Sequence, residues 1–323
     1  MRVLVTGGAG YIGSVIAARL VARGDSVWVY DDLSRGHAAA VPPGADLVEG
    51  DVRDAAALAG VLKKAGCEAV VHMAALAEVG ESVLQPERYR DVNVGGTAAV
   101  IEAARAAGVG RLVFSSTAAV YGSPQRTPIE EGDLLRPANP YGETKLAGEH
   151  LLEQARSSGD LAFTALRYFN ACGADGACGE EHDPESHLIP LALRAARDGT
   201  SLRVFGTDYP TTDGSCVRDY VHVTDLADAH IAALEALPEV QGAYNLGTGT
   251  GDSVLRVLDV VEVVTGLPLR RETAGRRDGD PPVLVASNLK AAECLGWRPR
   301  RSLQDAIADA WGWMRSHPQG HSA

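Results

Sequence analysis

The sequence predicts an α/β protein built on a doubly wound parallel (Rossmann) sheet, with a smaller C-terminal α/β domain for substrate. Three observations predict it. The chain opens with a β-branched run that breaks into closely spaced glycines and then into an apolar helical repeat. Strand-like and helix-like segments alternate through the first half, the pattern of a parallel sheet covered on both faces. Beyond Phe169 that alternation is lost in a stretch from Gly173 to His187 that carries glycines, acids and histidines. The reading places a nucleotide-binding domain over 1–169, rejoined by about 215–245, and a second domain over 170–323.

The first element is Arg2-Val-Leu-Val-Thr6, followed by Gly7, Gly10 and Gly13 and by Ile12, Ile16 and Leu20 at helical spacing until Gly24. Glycines there let the backbone approach a pyrophosphate, which rests on the free N–H groups of the new helix. The second strand, Ser26-Val-Trp-Val-Tyr30, ends in Asp31 and Asp32, where a carboxylate accepts hydrogen bonds from an adenosine ribose and repels a 2′-phosphate. NAD is therefore expected over NADP, with Arg35 nearby acting in the opposite sense. Leu47–Glu49 leads to Gly50-Asp51-Val52, Ala69–His72 to Met73-Ala-Ala-Leu76, and Arg111–Phe114 to Ser115-Ser116-Thr117. Each places small or polar residues just past a strand's C-terminal end, the edge where such a sheet binds its ligand. Asp51 suits the adenine; Ala74 and Ala75 let a cofactor pass close to the backbone. A helix over Val92–Ala107 starts with Asn93-Val-Gly-Gly-Thr97, and the next begins at Asn139-Pro140. Leu161–Arg167 reads as a strand, and the helix Thr224–Leu234 as a return to the first domain.

The 323 residues carry a formal charge of −12, with a pI near 5.2. Nucleic acid and anionic membranes select for basic surface, so neither is an expected partner. A phosphate-bearing substrate must then be held by a few local arginines. No apolar run has the length of a membrane span, and a cytoplasmic location is expected. The five cysteines fit reduced thiols better than a disulfide frame. Cys172, Cys178, His182 and His187 lack zinc-knuckle spacing, and no metal is expected.

The chemistry is carried by Tyr141 and Lys145, four residues apart in Asn-Pro-Tyr-Gly-Glu-Thr-Lys and hence on one helix face. An unperturbed tyrosine titrates near 10; moving it toward 7 takes roughly 4 kcal/mol of preferential stabilisation of the phenolate. A nearby ammonium and a positive nicotinamide ring supply this, making Tyr141 a general base for a sugar or alcohol hydroxyl and leaving Lys145 free to bond the nicotinamide ribose. Thr117 offers a short hydroxyl to relay or orient the proton.

These residues resemble the extended short-chain dehydrogenase/reductase family and, within it, the UDP-glucose 4-epimerases. The likeness runs along the whole chain and is strongest over Phe205–Val223, Leu166-Arg-Tyr-Phe-Asn170, Tyr244-Asn-Leu-Gly-Thr-Gly249 and Arg276-Arg-Asp-Gly-Asp-Pro281. The resemblance implies that Tyr11, Ile12, Asp31, Asp32, Ser34, Asp51, Val52, Ala74, Ala75, Tyr141, Lys145 and Phe169 contact NAD, beside the glycines and Asn93. It implies that Thr117, Tyr141, Asn170, His187, Leu188, Arg203, Val204, Phe205, Arg218, Arg277 and Asp280 contact a UDP-sugar. Arg218 and Arg277 are the local cations an acidic protein needs for a diphosphate, and Arg277 with Asp280 is expected to clamp phosphate and ribose. Related dehydratases carry an acid pair after the active-site threonine; Ala118 and Ala119 here cannot move that proton. Ala77 replaces a lysine that some epimerases use near the nicotinamide. Leu284 replaces a bulkier tyrosine and leaves room for an N-acetyl group. The resemblance further implies a homodimer built on helices including Val92–Ala107 and the Tyr141 helix. A 4-epimerase of UDP-glucuronate or a UDP-pentose, and a non-catalytic NAD-binding module, are the competing readings.

Overall fold

The computed structural model describes residues 1–277 and 279–321. In chain order its strands are β1 (Arg2–Thr6), β2 (Ser26–Asp31), β3 (Ala45–Glu49), β4 (Ala69–His72), β5 (Arg111–Thr117), β6 (Ala162–Tyr168) and β7 (Asn170–Cys172). They continue as β8 (Ser201–Phe205), β9 (Val217–Arg218), β10 (Tyr220–His222), β11 (Gly242–Leu246), β12 (Asp252–Ser253), β13 (Arg270–Ala274) and β14 (Val283–Leu284). Seven of these form one sheet in the order β11-β6-β5-β4-β1-β2-β3. Every neighbouring pair in it is parallel. The chain builds outward from β1 through β2 to β3, then crosses to β4 and builds the other way. The reversal between β1 and β4 opens a crevice at the strands' C-terminal ends.

Val3, Leu4 and Val5 are fully buried in succession because both faces of the sheet are covered. Val3 and Val5 join a cluster with Ile16, Leu20, Leu226 and Leu234. Leu4 joins the opposite cluster with Leu62, Ile101, Phe114 and Leu152. A third cluster, with Leu193, Val257, Val261 and Ile307, lies among the helices Leu188–Asp198, Val254–Thr265 and Leu303–Ser316. Around it stand the shorter pairings β13 with β8, β7 with β10, and β12-β9-β14.

The helix expected from Val92 differs at its start. A π turn spans Arg90–Gly95 and the regular helix runs Gly96–Ala107. The wider turn carries Asn93 inward, where its amide brackets Leu76, accepting from the Leu76 N–H at 2.8 Å and donating to the Leu76 carbonyl at 3.0 Å. The Pro140–Ser157 helix starts as the Asn-Pro pair predicts, with the Asn139 side chain accepting from the Gly142 N–H at 2.9 Å.

Beneath the sheet's C-terminal edge lies a buried polar network. Glu149, on the Pro140–Ser157 helix, accepts from Arg167 of β6 through both oxygens, at 2.9 and 2.6 Å, and from Ser116 of β5 at 2.5 Å. Arg167 donates on to the Tyr121 hydroxyl at 2.8 Å, and Tyr121 to Asn245 of β11 at 2.7 Å. Removing one member of such a pair strands a charge away from water. Arg167→Met is expected to cost about 3–5 kcal/mol in equilibrium urea unfolding, with much of the loss recovered in Glu149→Gln/Arg167→Met.

Candidate functional site

The crevice at the β1–β4 switch point is made almost entirely of backbone. Gly7 takes φ +69°, and a Cβ added there would lie 2.5 Å from the Ala74 nitrogen. A Cβ on Gly13 would overlap the Gly7 carbonyl oxygen. The helix Tyr11–Ala22 opens at Gly10 with no side-chain cap, which leaves its first-turn N–H groups for an anion. Asp31 is buried, and its carboxylate accepts from the Ala9 N–H at 3.0 Å and the Leu33 N–H at 2.9 Å. Burial pushes it above the usual carboxylate value against those hydrogen bonds. Asp31 thus ties the glycine loop to β2, while the exposed Asp32 accepts from the backbone and hydroxyl of Ser34. Arg35 is turned away, donating to Glu81 and to the Asp183 carbonyl, so it does not offset these carboxylates. Asp51 is held below its usual value by the guanidinium of Arg53. Tyr11 reaches across the crevice to donate to the Gly173 carbonyl at 2.6 Å. Ile12 is half-buried, Val52 packs against Gly96, and Asn93 uses its amide on Leu76 and on the Thr144 hydroxyl at 2.9 Å.

The reactive side chains gather at the end of β5. Thr117 accepts from the Ala119 N–H at 3.2 Å. Burial pushes Tyr141 up to about 12, with Thr117 opposing. Lys145 is 3% exposed, and burial pulls it down to about 7 against the pull of Glu149. Its ammonium is satisfied from the neighbouring strand. It donates to the Ser115 carbonyl at 2.8 Å and lies 5.1 Å from the centre of the Phe114 ring. The short reach back to its own helix's neighbour strand is the nearer way to satisfy a buried ammonium.

The residues expected at the sugar nucleotide are spread over several elements. Phe169 packs in a small cluster with Val120, Tyr121, Leu146 and Leu284, and Leu284 pairs with Arg218 across β14 and β9. Asn170 opens β7. His187 precedes the helix that begins at Leu188 and lies 3.0 Å from carboxylates of both Glu180 and Glu185. Arg203, Val204 and Phe205 lie on β8, whose partner β13 runs out toward Arg277. Arg277 sits 4.1 Å and Arg203 5.6 Å from the centre of the Phe205 ring. Asp280 pairs with Arg218, while Arg277 stacks on Phe205.

Two supporting residues went unread in the sequence. Glu149 had a signal, since it lies one turn beyond Lys145. Asp219 had none: fully buried, it accepts from the Thr248 N–H at 2.6 Å, Gly249 at 3.0 Å and Ala286 at 3.1 Å, joining three segments distant in the chain.

Comparison with known proteins follows this geometry. The model of the NAD dependent epimerase/dehydratase family matches residues 3–247. The chain belongs to that family. A UDP-glucose 4-epimerase of Streptomyces lividans is 49% identical over 323 residues, covering 99% of this chain and 98% of its own. The structure of UDP-glucose 4-epimerase from Stenotrophomonas maltophila, with bound NAD and formylated UDP-arabinopyranose, superimposes with a TM-score of 0.95 at 40% identity, over 99% of both chains. That of the Brucella ovis enzyme in complex with NAD gives 0.93 at 47% identity, over 97% of this chain and 98% of that one.

As a member of an NAD dependent family the chain has a glycine crevice whose shape fits the dinucleotide. Gly13→Val is expected to weaken NAD binding by at least ~10-fold, read by calorimetric titration, because a side chain there displaces the loop that meets the phosphates. Lys145 gives a second expectation. Its folded value of about 7 lies below the ordinary 10.5, so between those pH values the unfolded chain binds the extra proton and stability rises with pH. Lys145→Met removes that dependence. Its gain over the parent, on the order of 1–2 kcal/mol near pH 7, shrinks toward pH 10.5 in denaturant titrations.

Proposed function

We propose that this chain interconverts UDP-galactose and UDP-glucose at C4 as a UDP-glucose 4-epimerase, an isomerase using tightly held NAD. The observation that carries the reading is the meeting of Thr117, Tyr141 and Lys145 with a crevice of bare backbone fitted to a dinucleotide. Gly7, Gly10, Tyr11, Ile12, Gly13, Asp31, Asp32, Ser34, Asp51, Val52, Ala74, Ala75 and Phe169 form the cofactor's surroundings in this reading, with Asn93 acting through the loop at Leu76. Held by these residues, NAD would supply the acceptor and donor of a hydride for C4. Tyr141, as phenolate, takes the proton of the C4 hydroxyl and gives it back after the 4-keto sugar has turned over. Thr117 orients that hydroxyl, and the charge on Lys145 favours the phenolate. Arg203, Arg218 and Arg277 hold the diphosphate, with Asn170, His187, Leu188, Val204, Phe205 and Asp280 around the nucleotide and sugar. Firm anchoring of UDP beside a loose sugar pocket lets one bound intermediate expose both faces.

The division at 1–169 and 170–323 belongs to the same reading, supported by β11 seated beside β6. Ala118 and Ala119, next to Thr117, favour epimerisation over dehydration, since neither moves a proton. Leu284, opposite Arg218, favours acceptance of N-acetylated sugars as well. A homodimer is part of the proposal, supported by the exposed apolar Val79, Val83 and Leu84 beside the helices expected to pair, and light scattering at micromolar protein checks it.

Purified protein given UDP-galactose without added NAD is expected to form UDP-glucose in a coupled assay, and Tyr141→Phe to lose at least ~10³-fold in turnover. No UDP-glucose even with added NAD would turn the assignment toward UDP-glucuronate or UDP-pentoses. Unchanged UDP-N-acetylglucosamine alongside active UDP-galactose conversion would refute the role given to Leu284.

A further inference from the structure

One cluster, which shares His187 with the proposed surroundings of the nucleotide, carries a role beyond the epimerase chemistry. Of the residues weighed for zinc in the sequence, His182 and His187 do come together, but with Glu180 and Glu185 in place of Cys172 and Cys178. These four offer ligand atoms all within 4.8 Å of one another. His187 Nδ1 lies 3.0 Å from an oxygen of Glu180 and 3.0 Å from one of Glu185. His182 Nδ1 lies 3.6 Å from the same Glu180 oxygen and 3.7 Å from Glu185 Oε2. A tetrahedral ion with bonds of about 2.0–2.1 Å spaces its ligand atoms about 3.4 Å apart, so the group needs little adjustment to close on one.

A second observation points the same way. The Glu185 side chain is 1% exposed, yet among the described residues its Oε2 has no hydrogen-bond partner, and neither has His182 Nδ1, which it faces. Arg194 comes no nearer to that oxygen than 4.0 Å. Buried polar atoms are nearly always paired, and two opposed orphans are satisfied together by a cation between them. We propose that Glu180, His182, Glu185 and His187 bind one divalent cation of the zinc class. Two imidazoles and two carboxylates suit zinc better than magnesium or calcium, and four protein ligands make a closed, structural site. The ion pins the segment that borders the cofactor crevice: the ring of His182 meets Tyr11 edge-on at 6.5 Å, Asp183 receives Arg35, and Ser186 donates to Glu78 at 2.6 Å.

The test uses the full chain with Cys294→Ser, which removes its exposed thiol. Protein stripped by chelator, loaded with zinc and desalted is expected to keep about one zinc per chain by mass spectrometry. Cobalt in its place should give a tetrahedral absorption band. His182→Ala and Glu185→Gln should each weaken zinc binding by at least ~10-fold; if Glu185→Gln fails to fold by circular dichroism, His182→Gln takes its place, that ring being partly exposed. His317→Ala, in the separate His37–His317–His321 cluster, should leave retention unchanged. Zinc below a tenth of an equivalent, equal retention in parent and His182 variants, or loss on His317→Ala overturns the proposal.

Discussion

An ammonium withdrawn from water governs the arrangement around it. Lys145 has one carbonyl, that of Ser115, to receive its proton, and one carboxylate, Glu149, to favour its charge. Neither acts alone. Glu149 is fixed by Arg167 and Ser116, Arg167 by Tyr121, and Tyr121 by Asn245, so residues of β5, β6 and β11 all bear on the electrostatics at one nitrogen. In a dry interior each of these dipoles counts for more than it would in water, and each is costly to leave unpaired. The sheet is a scaffold for strands and equally the device that sets the charge beside Tyr141.

Burial acts in opposite senses on the two groups, pushing Tyr141 up to about 12 and pulling Lys145 down to about 7. Charge brought in by the dinucleotide changes the first most, since a positive ring beside the phenol favours its ionised form. In the proposed reaction, binding of cofactor and readiness for proton transfer are therefore coupled.

Much of this was legible from residue order. The glycines, the acids at the end of β2 and the Tyr141–Lys145 spacing each demand a local conformation, and local demands survive folding. Pairings across the chain did not announce themselves. The spacing of Tyr141 and Lys145 says that they share a helix face, but which acceptor the ammonium finds depends on β5. Arg277 and Asp280 are three residues apart, yet Asp280 is drawn to Arg218 by the strand pairing of β14 with β9. Asp219 looks like any surface aspartate until two backbone segments distant in the chain converge on it. The π turn at Asn93 is likewise a response to Leu76, far off in sequence.

The place of β11 has a consequence for synthesis. The sheet's last strand is encoded roughly 80 residues after β6, against which it pairs, and ribosomes deliver about 5–20 residues per second. For roughly 4–16 s the nascent chain holds an unpaired β6 edge, with Asn245 not yet there to receive Tyr121. That interval is when chaperones have most to protect, and when a slow codon between the two strands would lengthen exposure without altering a single residue.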